Sequence, residues 1–163
     1  IKGVNPFNHR IARETIKVLN EVGYKGNIAL QSFDFGAVLY AKRHSDYAVG
    51  ELCTWCSPDG KHNRWWATDF MGKLWIARIT RPDFIAYDVR ALNKTLPKNK
   101  WLIKWSKKLP ILTWTVKSQE TLDDATEYAN NVIFEDMDIA LMDSLAGRFM
   151  PFRCPEKNLP SNR

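Results

Sequence analysis

The feature that most constrains this fold is an alternation between two hydrophobic periods along one chain. Short apolar runs of strand character lie at Ile28 to Phe33, Tyr47 to Trp55, Asp83 to Tyr87 and Ile111 to Val116. Between them the apolar residues recur at helical spacing. From Asn8 to Val22, the side chains of Ile11, Thr15, Val18, Leu19 and Val22 share one face, and Gly23 stops the helix. Phe35 to Lys42, the aromatic-rich Arg64 to Ile79, and Lys94 to Lys108 continue the helical pattern. Ser118 is a good N-cap for a further helix with Leu122, Ala125, Tyr128 and Ala129 on one face. Val132-Ile133-Phe134 closes the regular pattern.

Strands separated by helices mean βαβ units and a parallel sheet. Four main strands with their helices make half of an eight-stranded (β/α)8 barrel, or else a small open sheet with two unprotected edges. Pattern alone leaves these two open. The expected division is a half-barrel over 1–136 and a C-terminal helix or irregular tail over 137–163, where Pro151, Pro155 and Pro160 interrupt the chain.

With 45% hydrophobic residues among 163, the chain has material for a core. No apolar run approaches the roughly 20 residues needed to cross a bilayer. The opening Ile1-Lys2-Gly3-Val4 has no initiator Met and no signal-peptide layout, and reads as a cut within a longer chain. Localisation is not legible in it. The net charge of +6 favours anionic partners: nucleic acid, anionic lipid or a phosphorylated metabolite. Lys94 to Lys108 concentrates the positive charge around Trp101 and Trp105, which permits a stacking platform for single-stranded nucleic acid. The helical spacing of Trp101, Leu102, Trp105 and Leu109 favours instead an amphipathic helix with its lysines in water. Cys53 and Cys56 have redox-pair or half-zinc spacing, with His62 and Cys154 as further ligands. A second closely spaced ligand pair is missing, so buried thiols are the expected role.

Three segments carry a family resemblance. Leu109-Pro110-Ile111-Leu112-Thr113-Trp114-Thr115-Val116-Lys117, then a capped helix and Val132-Ile133-Phe134-Glu135-Asp136, resembles the final strand, helix and closing turn of glycerophosphodiester phosphodiesterases. Leu30-Gln31-Ser32-Phe33-Asp34 resembles that family's fifth strand, and Asp83-Phe84-Ile85-Ala86-Tyr87-Asp88 its seventh. Ile1-Lys2 looks like the end of its Glu-Ile-Lys motif. The resemblance implies the C-terminal half of a TIM-type barrel of the phospholipase-C-like phosphodiesterase kind. The intact parent would hydrolyse glycerophosphodiesters to glycerol 3-phosphate and an alcohol.

The resemblance also says what is missing. The family holds Ca²⁺ or Mg²⁺ on carboxylates and uses two histidines as general acid and base. None of those motifs is in this chain, and His9, His44 and His62 match none of them. The chain therefore contributes no catalytic residue and no metal ligand, and is expected to be inactive alone. Its share of the site would be Lys2 for phosphate charge and Trp114 as an apolar wall, with Gln31, Ser32 and Glu51 at the pocket rim. A small glycerophosphodiester is the expected partner, with no nucleic acid and no membrane span. In such a half-barrel Val116 would lie on an open edge, and Ile28, Leu30, Leu52, Ile85, Leu112 and Trp114 would face inward without opposing side chains, which implies self-association. The alternatives are a non-catalytic half-barrel that binds or assembles, and a basic nucleic-acid-binding domain.

Overall fold

A computed structural model describes residues 9–24, 26–54, 74–95, 100–126 and 129–136, excluding the side chains of 93–95, 101 and 126. Lys2, Cys56, His62, Cys154, the aromatic stretch 64–73, the side chain of Trp101 and the tail 137–163 lie outside the described residues.

The helices and strands alternate as the two periods require. They are α1 (Arg10–Val22), β1 (Ala29–Ser32), α2 (Phe35–His44), β2 (Ala48–Cys53), α3 (Ala77–Thr80), β3 (Phe84–Asp88), α4 (Val89–Thr95), α5 (Lys100–Ser106), β4 (Ile111–Val116), α6 (Gln119–Thr126) and β5 (Asn131–Phe134). Helix α1 stops at Gly23, which takes the left-handed φ of 61° and donates its N–H to the Leu19 carbonyl. Helix α2 starts at Asp34, whose carboxylate accepts the N–H groups of Gly36 and Ala37. The expected basic helix from Lys94 to Lys108 is two helices, α4 and α5, and the sequence places Pro97 between them.

The strands form a curled, all-parallel, five-stranded half-barrel sheet in the order β1-β2-β3-β4-β5. Each strand lies beside its predecessor in sequence and the order never reverses. Right-handed crossovers in such a sheet put every helix on the same side. The packing agrees. Leu30 and Val49 meet Ile16, Val38 and Ala41 of α1 and α2. Ile85, Tyr87, Cys53 and Ile111 meet Ala77, Ala91, Leu92 and Leu102 of α3, α4 and α5. Val116 meets Leu122 and Ala125 of α6. The opposite face carries Ala48, Phe84 and Ala86, with Leu52, Leu112 and Trp114 packed against them, all strand residues among the described ones. Gly50 belongs to this face because a Cβ there would overlap the Phe84 ring.

Three expectations are corrected. Val132-Ile133-Phe134 belongs to a fifth strand rather than a closing turn, because β5 continues the parallel ladder beyond β4. Val116 is therefore not on an open edge; β1 and β5 are the edges. Leu30 and Ile85, expected on the inner face with Leu52, Leu112 and Trp114, point to the helices, and Ile28 packs beside Leu30. Helix α1 also buries a different flank: Ala12 and Ile16 face inward, while Ile11, Val18 and Val22 stay 51%, 53% and 69% exposed. Contact with α2 selects that flank.

Candidate functional site

In a parallel sheet the C-terminal strand ends converge on one rim, where loops and helix starts bring side chains together. Alternation along the strands decides which side chains reach the inner side of that rim. On β4, Leu112 and Trp114 do so. The half-buried Trp114 donates its indole N–H to the Ala86 carbonyl at 3.0 Å. Phe33, just past β1, meets the indole edge to face, with ring centroids 5.5 Å apart at 84°. These two rings form an apolar corner spanning the rim from β1 to β4, worth about 1 kcal/mol beyond its burial.

A polar group adjoins this corner. Asp88 ends β3, is the register partner of Trp114, and is only 1% exposed. Its carboxylate accepts Thr54 Oγ1 at 3.0 Å, the Arg90 backbone N–H at 3.0 Å, Arg90 Nε at 3.0 Å and Arg90 Nη2 at 2.6 Å. Arg90 itself is 45% exposed along its side chain. Sequence reasoning treated Asp88 only as a strand boundary. The readable signal was local: a carboxylate ending a strand with an arginine two residues later. Thr54 gave none, because it reaches Asp88 across 34 positions.

The rim residues expected from sequence divide between the two faces. Gln31 is the register partner of Gly50 and belongs to the inner face. Ser32 and Glu51 are register partners of each other and alternate with Leu30 and Val49, so both point to the helices. The Ser32 hydroxyl accepts the Asp34 N–H at 3.1 Å and braces the turn into α2. Glu51 is 3% exposed, and the Thr80 hydroxyl lies 2.7 Å from its Oε2. Burial pushes this carboxyl up to about 7, and the Thr80 hydrogen bond holds it back only in part. The neighbouring Cys53 thiol is fully buried and pushed well up, first by burial and then by the Glu51 charge. It is a packed thiol, not a nucleophile.

Beyond β4, Lys117 and Glu135 pair at 2.8 Å on the exposed surface. Their hydrogen bond and mutual charge raise the lysine and lower the glutamate. On α5, Leu102 is fully buried and Trp105 and Leu109 pack against the same cluster, while Lys104, Lys107 and Lys108 are exposed. Among the described residues, no three His, Cys, Asp or Glu side chains converge on a point that would hold a metal. No helix among them is long and apolar enough to cross a membrane. No family model, no curated protein and no solved structure matches the chain.

Proposed function

We propose that this chain is the substrate-wall half of a metal-dependent glycerophosphodiester phosphodiesterase, with a TIM-type barrel of the phospholipase-C-like kind completed by further strand–helix units. One observation carries the reading. The Ser-Phe pair, the Ala-Tyr-Asp segment and the Trp-Thr-Val segment occupy the ends of β1, β3 and β4, at one rim of one parallel sheet. In a closed barrel the helix-free face lines the interior and that rim is the mouth. Trp114 and Phe33 would then wall the glycerol or the leaving alcohol, with Gln31 beside them and Lys2 on the phosphate. Carboxylates of the other units would hold Ca²⁺ or Mg²⁺ to neutralise the phosphoryl oxygens, and their histidines would move the protons.

The test assays glycerophosphocholine hydrolysis with Ca²⁺ or Mg²⁺ on this chain and on the longest natural product that contains it. This chain alone releases no glycerol 3-phosphate above background. The longer product releases it, stops on chelation, and loses at least ten-fold in kcat/KM on Trp114→Ala. Chelator-sensitive turnover by this chain alone, or an inactive longer product, would overturn the proposal.

A second reading, an assembly module, is favoured by one feature. Both sheet edges are open among the described residues, and Ile11, Val18 and Val22 of α1 and Phe134 of β5 are exposed. Parallel pairing of β5 with β1 of a second copy would cover both edges at once. Light scattering at micromolar concentration then reports a dimer, and a monomer there removes this reading.

A further inference from the structure

The Asp88 group at the rim is more elaborate than helix capping requires. One hydrogen bond, from the Arg90 N–H to Asp88 Oδ1, is enough to cap the start of α4. The structure adds a fork: Arg90 Nε to Oδ1 at 3.0 Å and Nη2 to Oδ2 at 2.6 Å. It adds Thr54 Oγ1 on Oδ2 as well, which ties the end of β2 to the end of β3. The carboxylate is almost wholly covered, while the Arg90 side chain that covers it is about half exposed. The pair thus faces solvent with its cationic member. It also stands beside Trp114, since Asp88 and Trp114 are register partners.

We propose that Arg90 is an oxyanion-binding residue of this rim, with Asp88 and Thr54 as its positioning residues, and that it takes the phosphoryl oxygens of a phosphate ester. The choice of phosphate rests on the phosphodiesterase reading; the site itself rests on the geometry. A guanidinium presents planar, directional donors that match a phosphate or carboxylate edge. A solvated arginine must lose rotamer freedom to meet such an anion. Arg90 is already fixed by its fork to a buried carboxylate, so an incoming oxyanion meets a stationary group. Trp114 and Phe33 supply the apolar wall on the next strands for the organic part of the ester. Lys117, past the end of β4, is instead paired with Glu135.

The experiment titrates inorganic phosphate, glycerol 3-phosphate, glycerophosphocholine and acetate separately into the isotopically labelled chain. It follows the Arg90 Nε–H resonance and fits the affinity. Phosphate and glycerol 3-phosphate shift that resonance, and glycerol 3-phosphate binds the tighter of the two. Arg90→Gln weakens both at least ten-fold in a chain that still folds, with a lowered thermal midpoint because the buried Asp88 carboxylate loses its partner, and Arg90→Lys falls between Gln and Arg. Undiminished phosphate binding by a folded Arg90→Gln variant, or none by the unaltered chain, overturns the site. Acetate binding as tightly as phosphate overturns the assignment to a phosphate ester. Phosphate binding through Arg90 with no binding of glycerophosphocholine keeps the oxyanion site and removes the phosphodiesterase reading. Glycerophosphocholine binding that ignores Arg90 does the reverse.

Discussion

The two faces of one strand in this sheet are built to different rules. On β2, Val49, Glu51 and Cys53 point to the helices, while Ala48, Gly50 and Leu52 point away from them. The helix side is packed by residues from α1 to α6 and encloses even a carboxyl and a thiol. Among the described residues the other side is a cluster of strand residues in which Phe84 is buried while Leu52, Leu112 and Trp114 remain half-buried. Among the described residues the helix side is therefore the more extensively packed, and the inner side keeps Leu52, Leu112 and Trp114 partly accessible.

The largest test of this division compares truncations on the two faces of neighbouring strands. Ile85 is fully buried against the helices, so Ile85→Ala leaves a cavity and costs about 3 kcal/mol. Leu112, register partner of Ala86 on the inner face, starts half in solvent, and Leu112→Ala costs only about 1–2 kcal/mol. Urea denaturation of both variants measures the difference. Equal losses would mean that the inner face is packed as tightly as the outer one, and the division would fail.

Next in size is the buried carboxyl on the helix side. Glu51 has its folded pKa raised to about 7 by burial, against an ordinary value of 4.5. Below pH 4.5 both folded and unfolded chains are protonated there, and the group costs nothing. Between 4.5 and 7 the unfolded chain gives up its proton first, so stability falls as pH rises. Above 7 both states are ionised and the loss is complete, on the order of 2–3 kcal/mol. The Thr80 hydroxyl, which donates to the carboxylate, works against this shift but is outweighed by burial. The single Thr80 hydroxyl proton has two acceptors in reach, Glu51 Oε2 and the Ile76 carbonyl at 3.2 Å. A protonated Glu51 can donate to the Thr80 oxygen and release that proton to Ile76. Glu51→Gln is thus more stable than the unaltered chain at pH 8, and the advantage disappears near pH 4. Parallel pH profiles of the two proteins would contradict the assignment.

How much of this was legible in the sequence follows from the same two faces. Strand and helix periods gave the alternation, the parallel sheet and the helix stop at Gly23. They did not say which face of a strand meets the helices, because a strand buried on both sides is apolar on both. Leu30 and Ile85 look no different in sequence from Leu52 and Leu112, and long-range packing alone sorts them. The apolar stripe of α1 is wide enough for either flank to be buried; contact with α2 chose Ala12 and Ile16. Strand β5 is only four residues long and needed the ladder from β4 to be seen as a strand. Trp114 was legible at the rim because its motif resembles a known one. The Asp88–Arg90 fork was half legible, and its tie to Thr54 was not.

The smallest test separates two adjacent residues that sequence reasoning placed together. Ser32 and Gln31 were both expected at a substrate rim, yet successive strand residues point to opposite faces. Ser32 is nearly buried on the helix side, and its hydroxyl accepts the N–H of Asp34, the residue that caps α2. Ser32→Ala leaves that N–H without this acceptor and loosens the cap, a loss of about 1 kcal/mol. In a chain of this size that lowers the thermal midpoint by about 2–4 °C. Gln31 is only half-buried on the inner face, and the cap does not involve it. Gln31→Ala leaves that cap intact and therefore lowers the midpoint less than Ser32→Ala does. Ligand titration gives the opposite ranking. Glycerol 3-phosphate affinity is unchanged in Ser32→Ala and weakens two- to five-fold in Gln31→Ala, the loss of one neutral hydrogen bond at a solvated rim. If instead Ser32→Ala lost affinity at an unchanged midpoint, the face assignment of β1 would be reversed, and with it the register of the whole rim.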